Sequence, residues 1–435
     1  MTTADSSPDA TSDRSPDVGP EPSVATAFAS VDLKDPTSAD AVMYNAHALA
    51  ALIADEADAI ERDAKLTDAA AAAMRRAGVF EMGFPASRGG LEMTLEQQVQ
   101  VVAEIAAVDA SAGWNVGVLN AGGFYAGRLA PETFADLYPT TDRPTSGSFH
   151  PRGQATQVDG GFMVSGHWDW GSGSYTADHV VGGCLVVDAD GEPVPGSNGQ
   201  QMLIGAWLPP DAIERLDNWQ TLGVRDSGST SYRITEPVFV PAAHTFDREA
   251  PFDPTADPLN KTVTACHYAL TGVALGVARH AVNLAGEAVR GKGSARGPDS
   301  ATLQALGHAM AEVDFAYSGV REIARMTDEI LFTEGAVMSP AETARMTAAN
   351  AMAAEALRRV LPVCTELAGS RYIMDDHPLQ RVLRDGYAAL AHAGARPMLF
   401  ALHAQAVIDE PARGFTVADD PADGGCRSLR RWSPR

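Results

Sequence analysis

Between residues 143 and 241 the chain has a different texture from everything around it. This stretch is rich in Gly, Trp, Val and Thr. It alternates apolar and polar residues through Gly161-Phe-Met-Val-Ser-Gly-His-Trp-Asp-Trp170 and carries turn pairs at Asp159-Gly160 and Asp190-Gly191. Period-two alternation broken by such turns predicts an antiparallel β unit. The flanks repeat Ala, Leu and Ile at helical spacing instead. Helices are expected over 41–142, one of them closed by Gly78 as a left-handed cap. Thr94-Leu-Glu-Gln97 has capping-box spacing before the run of Val99, Val102 and Ile105. Four long periodic segments, roughly 260–290, 299–333, 340–368 and 378–410, predict a bundle. Ser339-Pro340-Ala-Glu342 opens the third with a cap, a proline at the first helical position and a glutamate three residues after the cap.

A chain of 435 residues exceeds one ordinary core, so two or three packed units are expected. Residues 1–40 set eight acids against Arg14 and Lys34 amid Ser, Thr and Pro, and bury too little to offset ordering entropy; they are expected to form a disordered acidic tail. The segment 411–435 is expected to be irregular.

The formal charge of −23 argues against general affinity for nucleic acid or anionic membranes, since phosphate binding needs clustered Lys and Arg. Cys184, Cys266, Cys364 and Cys426 form no CxxC pair, which fits reduced thiols in a cytoplasmic protein. No run of 18 apolar residues predicts a membrane span, and no basic start followed by an apolar stretch predicts a secretory signal. Neither Gly171-Ser-Gly173 nor Gly291-Lys-Gly293 has the third glycine of a dinucleotide-binding turn. HExxH, P-loop and GxSxG motifs are absent, and the histidines lack metal-ligand spacing, so no metal is expected.

The order helices, β unit, bundle resembles the acyl-CoA dehydrogenase superfamily, and five segments match its flavin-monooxygenase branch. They are Asp109-Ala-Ser-Ala-Gly-Trp114; Pro151-Arg-Gly-Gln-Ala155 with Val158-Asp-Gly-Gly161; His167-Trp-Asp-Trp-Gly-Ser-Gly173; Thr221-Leu-Gly-Val-Arg-Asp-Ser-Gly-Ser229 leading to Val238-Phe-Val-Pro241; and Pro378-Leu-Gln-Arg-x-x-Arg-Asp385 with His392 seven residues later. The resemblance implies an N-terminal helical domain (41–142), a middle antiparallel β-barrel domain (143–245) and a C-terminal four-helix bundle (258–410), assembled as a homotetramer. It also implies the oxygenase component of a two-component monooxygenase. Such a component takes reduced FMN or FAD from a separate flavin reductase and uses O2, through a C4a-hydroperoxide, to hydroxylate or N-/S-oxygenate a small organic substrate.

On that resemblance Ser172 is the hydroxyl that contacts flavin N5, and His392, on the last helix, is the acid or base facing the ring. Trp168 and Trp170 would wall the ring, and Ser146, Phe149 and His150 lie in the loop lining its pyrimidine side. Arg290, Gly369 and Ser370 are candidates for the flavin phosphate. Trp114, Phe149 and His150 are candidates for the substrate pocket. Each has a plainer reading: a turn serine, core tryptophans, an ordinary helix histidine, a surface arginine beside a helix C-terminus. Arg381 and Asp385 read as an i,i+4 ion pair. An acyl-CoA dehydrogenase would need a glutamate base, usually near the chain's last helix. Residues 386–408 contain no Asp or Glu, which favours the monooxygenase over a dehydrogenase or an inactive family member.

Overall fold

A computed structural model describes residues 29–197, 199–291 and 297–409. Six helices come first: α1 (Ala39–Asp63), α2 (Asp68–Arg76), α3 (Leu95–Ala106), α4 (Ala110–Leu119), α5 (Gly122–Ala126) and α6 (Pro131–Leu137). The expected capping box opens α3, with Thr94 and Gln97 each accepting the other's backbone N–H. Asp109 caps α4 by accepting the Ala112 N–H at 2.8 Å. Much of the expected acidic tail, residues 1–28, lies outside the described residues. Its last part is ordered: Val31 and Leu33 pack against the core, and Lys34 exchanges two backbone hydrogen bonds with the Asn45 amide, each 2.8 Å.

Seven strands follow: β1 (Thr145–Val158), β2 (Gly161–Trp168), β3 (His179–Val187), β4 (Leu203–Trp207), β5 (Glu214–Arg215), β6 (Tyr232–Pro241) and β7 (Thr245–Asp247). They form one sheet in the order β5-β6-β2-β1-β3-β4-β7. The β1–β2 hairpin is antiparallel, but β1 pairs with β3 in parallel, so the sheet is mixed rather than wholly antiparallel. The register of the parallel pair slips between Ser148 and Gly153. A bulge of this kind leaves residues out of the ladder and bends the strand. Phe149 and His150 lie in it, and His150 is exposed.

The bundle comprises α7 (Thr271–Gly291), α8 (Ser300–Leu331), α9 (Pro340–Ala368), α10 (Pro378–Ala389) and α11 (Met398–Asp409). The first bundle segment is shorter than expected, because Thr264–Leu270 winds as a tight 3-10 turn before α7. The last expected helix is broken in two, which corrects the placement of His392. That residue has extended backbone (φ −63°, ψ 148°) and stands between α10 and α11. The break has a sequence cause: Pro397 disfavours helical backbone at Arg396, whose ψ is 135°.

The N-terminal helices and the bundle share one core, in which Val102, Ile105 and Val116 pack with Val277, Ala281, Leu357 and Leu361. Burying each Val, Ile or Leu side chain contributes about 1.5–3 kcal/mol. Asp328 of α8 clamps the two regions further by accepting the N–H groups of Leu95 and Glu96 at the start of α3, at 2.8 and 3.1 Å. This shared core holds α4 and the α10–α11 break against each other.

Candidate active site

The end of β2 is where the backbone stops behaving as a strand. Trp168 is fully buried, stacks on Tyr232 with ring centroids 5.4 Å apart, and donates its Nε1–H to the Gly183 carbonyl at 2.8 Å. A Cβ on Gly153 would sit 2.4 Å from the indole and one on Gly182 2.7 Å, so glycines make room for it. Trp168 is therefore core, and the expectation that it walls a cofactor is corrected. Two residues on, Trp170 adopts a left-handed backbone (φ 67°) and is 65% exposed. A bulky residue at positive φ is an outlier that the surroundings must hold in place.

They hold it through the turn that follows. Gly171 N–H donates to Thr230 O at 3.0 Å, and Gly173 N–H, on a residue with φ 69°, donates to Ser227 O at 2.8 Å. The buried Ser146 hydroxyl donates to Ser172 O at 2.8 Å. Ser146 thus braces Ser172 from β1. Pinned in this way, the Ser172 hydroxyl meets an indole N–H on one hand and the first of two linked serine hydroxyls on the other. Trp114 of α4 donates its indole N–H to Ser172 Oγ at 3.1 Å, Ser172 Oγ lies 2.6 Å from Ser229 Oγ, and Ser229 Oγ lies 2.7 Å from Ser227 Oγ. Ser227 ends the chain by donating to Val224 O at 2.7 Å.

The Trp114 indole also meets His392 edge-on, with ring centroids 5.3 Å apart and planes at 86°. Helix α4 and the α10–α11 break thereby bring together the two residues on which the sequence reading turned. Nδ1 of His392 accepts the Gly394 N–H at 3.1 Å, which places the proton of the neutral ring on Nε2. Burial, and then the positive charge of Arg396, lowers the imidazole pKa from its ordinary value. At neutral pH the His392 ring is therefore neutral and carries an Nε2–H.

Close to His392 is His267, a residue the sequence reading missed. Burial first, then His392 and Arg248, push the His267 imidazole down to about 3. His267 lines a small cavity with Tyr125, Gly147 and Ser146, the residue that braces Ser172. No motif marked it; a single histidine in a 3-10 turn carries no spacing signal.

The Val224–Ser229 loop presents its other face to carboxylates. Arg381 reaches Asp109 at 3.7 Å and also exerts its charge on Asp385, the expected i,i+4 partner, while Asp385 accepts the Val224 N–H at 2.7 Å, so both also serve contacts between elements. Burial, followed by the charges of Asp109 and Asp385, pushes Asp226 up to about 9. Burial and Asp109 push Asp385 up to about 7. Asp226 Oδ1 is buried without a hydrogen-bond partner among the described residues.

The phosphate candidates lie elsewhere. Gly369 and Ser370 line an open cleft with Gly291, Arg371 and His377, and this cleft shares no lining residue with the Trp114 cluster. Gly369 ends α9 with φ 76° and ψ −179°, a conformation essentially reserved for glycine. Arg290, one residue from the end of α7, is exposed.

This arrangement sits on a known framework. Residues 44–127 match the acyl-CoA dehydrogenase N-terminal domain, and residues 268–397 match the acyl-CoA dehydrogenase C-terminal domain. The chain belongs to the acyl-CoA dehydrogenase superfamily, in its branch of flavin-dependent monooxygenases. It is 25% identical over 370 residues to a pigment production hydroxylase of Rhodococcus erythropolis, covering 81% of this chain and 92% of that one. It is 26% identical over 370 residues to the flavin-dependent monooxygenase oxygenase subunit HsaA of Mycobacterium tuberculosis, covering 79% and 89%. The structure of XiaF from a Streptomyces species, solved with FADH2 and glycerol, superposes with a TM-score of 0.78 at 22% identity, covering 85% of this chain and 96% of that one.

Proposed function

We propose that this enzyme is the oxygenase component of a two-component monooxygenase, using reduced FMN or FAD and O2 to oxygenate a small, aromatic organic substrate. The observation that carries the reading is the convergence of Ser172 and His392 on the Trp114 indole. The residues at the site fit a flat, partly apolar ring. Trp170 offers an exposed aromatic face on a backbone held out of the strand, and Ser172 offers a buried oxygen beside it. A bound reduced flavin supplies the electrons that activate O2, one oxygen going to substrate and the other to water.

The protein's own part is to hold protons and exclude water. Ser172 would offer its hydroxyl oxygen to the flavin ring, and His392 would donate its Nε2–H to the oxygen or the substrate. Trp114 would set the spacing between the two and border the substrate, and Phe149 and His150 of the β1 bulge remain candidates for the substrate pocket. Ser146 keeps the Ser172 backbone in place. Arg290, Gly369 and Ser370 would hold the phosphate end, across the interface with a neighbouring subunit. A homotetramer suits the exposed apolar side chains of α8 and α11, among them Phe315 (78% exposed) and Ile408 (68%). Cys184, Cys266 and Cys364 are free and buried, in keeping with a reducing cytoplasm, and no described helix is long and apolar enough to cross a membrane.

The test is reconstitution. The purified chain, a NADH-driven flavin reductase, FMN or FAD and a panel of phenols and indoles should consume O2 and yield a product heavier by one oxygen. Quantitative release of hydrogen peroxide across the whole panel, or failure to bind reduced flavin, would defeat the reading.

A further inference from the structure

The hydroxyl chain behind Ser172 has a direction, and the direction follows from counting protons. A serine hydroxyl has one proton to donate and two lone pairs to accept with. Ser227 spends its proton on Val224 O, which can only accept. Ser227 Oγ, 2.7 Å from Ser229 Oγ, must then accept the Ser229 proton. Ser229 Oγ, 2.6 Å from Ser172 Oγ, must in turn accept the Ser172 proton. One Ser172 lone pair receives the Trp114 indole N–H at 3.1 Å, and that contact runs the same way. A single lone pair of Ser172 remains.

We infer that Ser227 and Ser229 are positioning residues that fix Ser172 as a hydrogen-bond acceptor, so that the site favours a ligand bearing an N–H there. The inference rests on the flavin reading above. Reduced flavin carries an N–H at its central ring nitrogen, whereas oxidised flavin presents a lone pair at the same atom. A hydroxyl locked as acceptor satisfies the first and leaves two lone pairs facing each other with the second. Both hydroxyls are buried, Ser227 1% and Ser229 4% exposed, so water does not readily take their place. The site thus discriminates oxidation state through residues that need not touch the cofactor.

Anaerobic titration with reduced FMN, and aerobic titration with oxidised FMN, give the two dissociation constants in each variant. Wild type should bind reduced FMN at least about 10-fold more tightly than oxidised. Ser229→Ala frees the Ser172 proton to turn toward the ligand. It should narrow the ratio by about 5-fold, mainly through tighter binding of oxidised FMN. Ser229→Thr, which keeps the hydroxyl, should hold the wild-type ratio. Ser227→Ala, one link further back, should shift it the same way by less, and reads the same relay should Ser229→Ala fail to fold. An unchanged ratio in both alanine variants, or an equal loss of affinity for both forms, overturns the inference. Wild type binding neither form would instead remove the flavin reading on which it stands.

Discussion

The Val224–Ser229 loop has two faces that solve burial in opposite ways. Toward Trp114 it presents neutral hydroxyls, each engaged with the next, at 2.6–2.7 Å. Toward α10 its own Asp226 joins Asp109 and Asp385, three buried carboxyl groups that share the charge of Arg381. The hydroxyl face is complete without a net charge, and a completed polar network rigidifies what it touches. The carboxyl face is buried and crowded, and burial first, then crowding, lifts its acids out of their ordinary range. The contrast teaches that the site's geometry is set by a neutral network, while the charged cluster behind it is held at a cost to stability.

The comparison can be broken hardest at its cation. Arg381→Met leaves the three carboxyl groups without their shared positive charge, and a loss of about 3–5 kcal/mol in chemical denaturation is expected. On the hydroxyl face, Ser172→Ala should reduce product formed per NADH consumed by about 100-fold, with hydrogen peroxide making up the difference; both are measured in one coupled assay. His392→Ala should lower kcat/KM by about 10-fold, whereas His392→Gln, which keeps an N–H donor, should recover much of it. A base would not be rescued by an amide.

The smallest effect has the opposite sign. Asp226 and Asp385, at about 9 and about 7, bind protons in the folded enzyme that the unfolded chain releases near its ordinary carboxylate value. Their contribution to stability is present in acid and is lost as pH rises through 7 and 9. Asp226→Asn should therefore stabilise the enzyme at pH 8 by about 1–2 kcal/mol and flatten its melting temperature between pH 6 and about 9, with activity unchanged within about 2-fold.

The element order was legible because each region repeats one period, and the caps at Thr94 and Ser339 were legible because a capping box is a local device. The parallel β1–β3 pairing was hidden, since the bulge between Ser148 and Gly153 decouples alternation from partner choice. The broken last helix was readable and overlooked: Gly394 and Pro397 stand in the sequence where continuity fails. At the site, the motif around Ser227 and Ser229 was visible, but a hydroxyl relay depends on side chains meeting across the fold. The family resemblance treated Trp168 and Trp170 alike; Trp170, at positive φ just past the end of the strand, is exposed where Trp168 is buried.

That left-handed tryptophan has an evolutionary consequence. Glycine at position 170 would relax the backbone, so a search for heat-tolerant variants would be drawn there early. Robustness gained by that exchange would come with a bare, wettable opening, and the catalyst would outlast its usefulness.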